Sequence, residues 1–367
     1  MNSIIKTLSL FAPTAAALLT TCISSSAATA QQVVPFRGDR MVTVMTQNVY
    51  HGVNTELFRV ATATDLSDLV VKVAAVFNGY HARNFPERAA AFAAEIDAAR
   101  PELIGLQEAV LVRTQSPPDG PTTPAPTVAL DYVQLLLDAL AARGLAYEVV
   151  ATSFGWDAEL PSALGFDVRH TDREVILARA DLKTADLKVS NVQAGHFATN
   201  CMIPTRLGTI TIKRGWVSVD VKIRGKEFRV VSTHLDGDCP NPAIQVAQAN
   251  ELLQGPGATT LPLIFIGDFN SDAGAGATGA YAALLAAGLT DAWTVAGVGS
   301  GFTCCQDSSL LNPVSTLAHR IDLVLFRGEF GVVGIDVVGA QAADVTPSGL
   351  WPSDHAGVVT RLQLPNH

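Results

Sequence analysis

The chain has 367 residues, 48% of them hydrophobic and 16% charged, with a formal net charge of −9. That much apolar material builds a large core and excludes global disorder. The acidic balance offers no general attraction to phosphate backbones and speaks against a non-specific nucleic-acid binder.

The first thirty residues read as a segment apart. Lys6 is a positive start, Leu8 to Leu19 an apolar stretch, and Ala28-Thr29-Ala30 a small-residue cleavage site. This is the pattern of a secretory signal peptide, so a secreted or periplasmic location is expected. Its removal takes away one cation, Lys6, and moves the net charge from −9 to −10. No later apolar run approaches the roughly 20 residues of a membrane span. Four of the five cysteines remain: Cys201, Cys239, Cys304 and Cys305. In an exported chain an even number points to disulfides, with three connectivities open. Cys201 and Cys239 flank the strands over 209–233, and Cys304 and Cys305 are adjacent.

After a polar lead-in over 31–40, a single domain is expected over 41–367. Met41 to Thr46 is rich in β-branched residues and reads as a strand, ending in Gln47-Asn48-Val49-Tyr50-His51-Gly52. Apolar periodicity predicts helices over 64–78 and 85–99, the second with Pro86 and Glu87 in its first turn. A short apolar strand follows and finishes in Gln107-Glu108. Residues 114–127, rich in Pro, Thr and Ser, read as an insertion loop, and 128–143 as a helix. Strands are expected near 146–151 and 174–179. Between them lies an irregular stretch with Trp156 and Asp172, a rim for a cleft.

Two strands over 209–233 join at Arg224-Gly225-Lys226, and the second delivers His234. A helix is expected over 243–254. Leu263-Ile264-Phe265-Ile266 reads as a strand buried on both faces. It stops at Gly267, and Asp268 and Asn270, two residues apart, share one side of an extended chain while Phe269 takes the other. A Gly/Ala-rich loop, a helix near 280–287 and a second irregular loop over 298–316 follow. Arg320 to Phe326 reads as a strand with Asp322 at its start. Pro352-Ser353-Asp354-His355 precedes a closing strand over 358–364.

Six strand ends thus carry polar or charged groups, in the strings TQNVYHG, LIGLQEA, VVSTHLDGD, IFIGDFNSD, HRIDLVLF and WPSDHAGVV. Each string alone is explained by a turn or a solvated side chain. In this order they resemble the endonuclease/exonuclease/phosphatase superfamily, which includes deoxyribonuclease I, over almost the whole of 41–364. The resemblance implies a four-layer α/β/β/α sandwich, two packed mixed sheets with outer helices. It further implies a phosphoester hydrolase that uses Mg²⁺, with Mn²⁺ or Ca²⁺ as alternatives. Such hydrolysis needs neutralised phosphate oxygens, an activated water and a stabilised leaving oxygen, and hard cations take oxygen ligands.

By the same resemblance Asn48, Glu108 and Asp354 form the metal cluster. Asp268 positions or deprotonates water, Asn270 orients it, His355 pairs with Asp322, and His234 faces the phosphate from the other side. Asp172, with Glu174 behind it, is the expected orienting carboxylate of His234. Arg214 is read either as a phosphate contact or as a solvated strand-edge cation. A monomer acting on a phosphate ester, nucleic acid or a phospholipid headgroup, is expected. The reading leans to a nuclease-type phosphodiesterase. A sphingomyelinase or phospholipase C type enzyme is the alternative, and an inactive binding module on the same fold the minor one.

Overall fold

In the computed structural model the described residues run from 40 to 364, apart from 238 and 275–278. The signal peptide and all of the polar lead-in but Arg40 lie outside them. The first half of the chain comprises β1 (Met41–Asn48), α1 (Asn54–Ala61), α2 (Leu66–Ala82), α3 (Phe85–Ala99), β2 (Leu103–Gln107), β3 (Leu111–Gln115), β4 (Thr127–Asp131), α4 (Tyr132–Ala142), β5 (Tyr147–Pro161) and β6 (Asp167–Arg179). There follow β7 (Leu187–His196), β8 (Cys201–Thr205), β9 (Gly208–Ile212), β10 (Gly215–Ile223), β11 (Lys226–His234), α5 (Pro242–Gln254), β12 (Leu263–Asp268) and α6 (Gly279–Ala286). The chain closes with β13 (Thr290–Asp291), α7 (Ala292–Ala296), β14 (Asp322–Arg327), β15 (Gly331–Val338) and β16 (Gly357–Gln363).

All the strands but β8 and β9, which pair only with each other, form two mixed sheets, and side-chain alternation stacks them. One sheet has the order β15-β16-β1-β2-β6-β3-β4, with β5 also paired to β6; the other is β13-β14-β12-β11-β10-β7. Along β12, Ile264 and Ile266 enter the core between the sheets, while Leu263 and Phe265 pack outward under α5 and α6. Along β1, Val42 and Val44 face the same inner core, and Met45 faces the layer with α2, α3 and α4. A period of two can serve two cores only if both faces are covered. The architecture is therefore the four-layer α/β/β/α sandwich. The sheets approach tightly at Gly105, where a Cβ would stand 2.6 Å from Ser232 Oγ and 2.8 Å from Ile266 Cδ1.

Two local expectations are corrected. Residues 128–131 belong to β4 rather than to a helix; α4 begins at Tyr132, where Asp131 caps it by accepting from Val133 N and Gln134 N. The stretch around Trp156 and Asp172 is not irregular, because β5 and β6 form one long hairpin with two bulges. Its polar residues find partners inside the protein: Thr171 bonds Asp157, and Arg173 donates to the Ala109 and Val110 carbonyls. The helix α1 and the hairpin β8–β9 are further additions. Cys201 is disulfide-bonded to Cys239, and Cys304 to Cys305.

Candidate active site

Strand register builds the site. The parallel pairing of β11 with β12 sets His234 opposite Asp268, and the antiparallel pairing of β12 with β14 sets Asp268 opposite Asp322. The side chains of three residues thus lie in one row across one end of the sheet. In the other sheet, parallel β1 and β2 pair Asn48 with Gln107, one residue short of Glu108. Asn48 joins the two halves: its amide donates to Glu108 Oε1 at 3.1 Å and to Asp268 Oδ2 at 3.0 Å.

The chain bends sharply as it leaves these strands. Glu108 and Asn270 both hold left-handed backbone, with φ of 56° and 48°, a conformation uncommon outside glycine and concentrated at functional sites. The turn after β11 makes room for Asn270 through Gly237, whose Cβ would lie 2.3 Å from the Asn270 side-chain oxygen. His355 Nδ1 donates to Asp322 Oδ2 at 2.8 Å and lies 3.8 Å from Asp268. The loop over 298–316 braces this corner: Thr303 Oγ1 accepts from Asp322 N, and the Thr303 carbonyl from Ala356 N.

The two histidines sit in opposite electrostatic states. Burial disfavours the His355 cation, but Asp322, Asp268 and Asp354 outweigh it and hold its pKa well above the usual value. Burial and the Arg214 guanidinium hold His234 well below it. Arg214 lies 2.9 Å from His234 Nδ1. A guanidinium only donates, so Nδ1 accepts and the His234 proton resides on Nε2. That proton is directed at Asp268, whose Oδ2 lies 3.4 Å away, while the Asn270 amide nitrogen, 3.0 Å from the ring, donates instead to the Leu235 carbonyl.

Among the acids, burial and the Asp322 charge push Asp268 up to about 7, and burial together with Glu108 pushes Asp354 up to about 7 against the pull of His355. Burial also works on Glu108, but His51, through its ring and its backbone N–H, and the Arg214 guanidinium outweigh it and keep its carboxyl well below the ordinary range.

The family model described as "Endonuclease/Exonuclease/phosphatase family" matches residues 45–355. The chain belongs to this family. Members of the family hydrolyse phosphate esters and generally use a divalent metal. Tyrosyl-DNA phosphodiesterase 2 of Mus musculus is 29% identical over 162 residues, a match spanning 41% of each protein. An endonuclease/exonuclease/phosphatase family protein of Bacteroides thetaiotaomicron superposes with TM-score 0.54 at 17% identity, covering 89% of this chain and 98% of its own. A mannosyl-6-phosphatase of the same organism reaches 0.53 at 16%, covering 88% and 99%. D. rerio TDP2 complexed with a single-strand DNA product reaches 0.52 at 16%, covering 89% and 100%. These structures share the fold.

The expected residues converge on one cleft, with two changes of detail. Asp172 does not orient His234 by direct hydrogen bonding; Arg214 stands between them, 3.4 Å from Asp172 Oδ2. Arg214 itself is buried rather than a solvated edge cation. Asp172, Glu174 and His234 form one group of mutually close ligand atoms and Asp268, Asp322 and His355 another, whereas Glu108 and Asp354 belong to no such trio among the described residues.

Two contributors, His51 and Arg88, have no counterpart in the sequence reading. His51 donates its backbone N–H to Glu108 Oε2 at 2.9 Å and holds its ring nitrogen 3.5 Å from the same oxygen. Glu174, expected behind Asp172, is buried, its carboxyl pushed far up by burial and Asp172. Arg88, wholly buried, donates to the carbonyls of Val49, Tyr50 and Pro352, beside Asn48 and Asp354. Arg88 had a legible signal: it falls on the apolar stripe Phe85, Ala89, Phe92, Ala93, Ile96 of α3, where a cation needs a reason.

Proposed function

We propose that the chain is an exported, Mg²⁺-dependent phosphodiesterase that promotes attack of water on a phosphate ester. The observation that carries this reading is the Asn48 bridge, which ties Glu108 of one sheet to the row His234–Asp268–Asp322 of the other. The donor set fits a hard cation. Glu108 is held ionised, Asp354 is destabilised as an anion by the charge beside it, and both offer oxygen. Glu108 and Asp354 would hold the ion; the Asn48 amide, already donating to Glu108, orients that ligand instead of adding one. When bound, Mg²⁺ neutralises phosphoryl charge and polarises the ester.

The chain's own residues divide the remaining work. Asp268, whose pKa of about 7 lies near neutrality, takes the proton of the attacking water, and Asn270 aligns that water. His355, kept cationic by Asp322, donates to a phosphoryl oxygen. Neutral His234 offers its Nε2 proton to the same group. One pair of like residues thus performs two roles because their surroundings differ.

The substrate reading is less specific. The names of the mouse relative and of the D. rerio complex support a nucleic-acid diester, while the mannosyl-6-phosphatase supports a sugar monoester. The test is hydrolysis of bis-p-nitrophenyl phosphate, plasmid DNA, RNA and sphingomyelin vesicles, each with Mg²⁺ and with EDTA, beside Asp268→Ala. Hydrolysis of the small diester that EDTA and Asp268→Ala both abolish is the expected result. Turnover insensitive to both, or none on any ester, would overturn the reading.

A further inference from the structure

We propose that a pocket beside this centre seats an alkyl group esterified to the phosphate, so that the substrate carries a hydrocarbon arm. The proposal rests on the phosphoesterase reading and deepens it. The pocket lies between two jaws. The helix α1 supplies Leu57 and Phe58, β5 supplies Trp156, and the hairpin β8–β9 supplies Ile203, Ile210 and Ile212. The three isoleucines share one face of the hairpin, since Ile203 pairs with Ile210 and Cys201 with Ile212.

The floor of the pocket is catalytic. His51 and Arg214 line it together with Asp172; His51 touches Glu108 and Arg214 touches His234. A phosphate ester held by that centre therefore presents its substituent to the jaws. What the jaws accept follows from their chemistry. Among the described residues lining the pocket, Arg214 is the one cation, and Asp172 and His234 already engage it. A polynucleotide arm needs cations for its successive phosphates, and this wall offers carbon instead.

Size narrows the occupant further. The cavity is about 80 Å³, roughly half of the ~150 Å³ cavity that accommodates benzene. It takes a short alkyl segment end-on and leaves the remainder along the outer rim, where Phe58 is 55% exposed. The hairpin jaw is held at its base by the Cys201–Cys239 bond. A two-stranded hairpin alone is marginally stable, so this bond keeps the isoleucines facing α1.

The experiment is calorimetric titration of the Mg²⁺-supplemented protein with methyl, butyl, hexyl and phenyl phosphate, which requires no turnover. Affinity should rise about fourfold for each methylene seated (~0.8 kcal/mol) and level off once the pocket fills, so that hexyl binds at least tenfold tighter than methyl. Ile210→Ser and Phe58→Ser should flatten this dependence, whereas Val333→Ser, on β15, should retain it. Phe58 is exposed, so its variant folds even if the Ile210 variant does not.

Equal affinity along the series, or no binding of any member, overturns the proposal. So does a chain-length dependence that survives both jaw variants, or phenyl binding tighter than hexyl. A protein inert on every ester yet selective for hexyl phosphate would remove the hydrolase reading and keep the pocket. Diester hydrolysis with indifference to chain length would do the reverse.

Discussion

Arg88 provides the sharpest test of how the fold holds this site. Its guanidinium donates four hydrogen bonds of 2.8 Å, to the carbonyls of Arg83, Val49, Pro352 and Tyr50. It packs 4.9 Å from the Phe85 ring centroid, and no carboxylate lies within ion-pair distance of it among the described residues. Arg88→Met keeps the stem and removes every donor. Each buried carbonyl left unpaired costs about 1–3 kcal/mol, a gross loss of ~4–12 kcal/mol over the four. The wild type, however, bears the cost of burying an unpaired cation, several kcal/mol, which the variant escapes. A net destabilisation of ~3–5 kcal/mol is expected. At about 2 °C per kcal/mol for a domain of this size, the melting temperature should drop by ~6–10 °C. The carbonyls of Val49 and Tyr50 follow Asn48, and that of Pro352 lies two residues before Asp354. Activity measured well below the melting point should therefore fall at least tenfold, because small displacements of positioned groups are costly. Differential scanning calorimetry and diester hydrolysis read the two effects. A variant that melts within 1 °C of wild type would refute the hydrogen-bond argument. One that melts low but hydrolyses normally would refute the positional link.

Four further perturbations test separate parts of the account. Asp268→Asn should lower kcat by about 10²–10⁴-fold, the usual contribution of a positioned base, with near-native stability; retained turnover would assign the base elsewhere. EDTA should lower the melting temperature of protein kept in Mg²⁺, since an ion at 100 times its Kd stabilises by about 2.7 kcal/mol; an unchanged curve would argue against a bound cation. Glu95, with both carboxylate oxygens buried and unpartnered among the described residues, has its pKa pushed up by burial and Asp344 to about 8. Its folded pKa exceeds the unfolded one, so its stability term is full below about 4.5 and is lost as pH rises towards 8. Glu95→Gln should flatten that decline and be the more stable protein by a few kcal/mol at pH 8, and parallel melting-versus-pH curves would contradict it. Cys201→Ser should destabilise by roughly 2–4 kcal/mol; an unaltered melting temperature would mean that the bond constrains nothing that matters.

The legible parts of the molecule were those where local pattern and tertiary role coincide. Leu263–Ile266 alternates between two apolar cores, so its composition alone marks a buried strand, and the acid and amide at its mouth follow from residue spacing. The pair His355–Asp322 followed from family order and appears at 2.8 Å. Misreadings fell where polar residues are buried because they partner one another. The strand β6 carries Asp167, His170, Thr171, Asp172, Arg173 and Glu174, all of them buried. By composition such a run is a loop; it is a strand because Tyr80, Asp157, Asp131 and Arg214 from four other segments complete its bonds. No local signal contains those partners. The Arg214 bridge was hidden for the same reason, since a cation before a strand says nothing about which ring nitrogen it will meet.

The charge arrangement explains why this polar cluster tolerates burial. Asp268, Asp322, Glu108, Asp354 and Asp172 all lie within the cleft, against one imidazolium at His355 and one guanidinium at Arg214. Like charges in a poorly solvated space raise one another's pKa values, and Asp268 and Asp354 carry that burden while Glu108 escapes it. The asymmetry follows from position. Glu108 lies beside the His51 ring and the Arg214 guanidinium and also accepts the His51 backbone N–H, whereas Asp354 stands next to an acid already ionised. Glu108 and Asp354 would hold a divalent cation whose charge would relieve the conflict at Asp354, leaving Asp268, one Asn48 side chain away, as the carboxylate still able to change protonation near neutrality. Neutralising Asp354 alone, as Asp354→Asn, should therefore weaken Mg²⁺ affinity at pH 7 and spare stability in EDTA. A stability loss in EDTA with metal affinity intact would show that Asp354 serves the fold and not the ion.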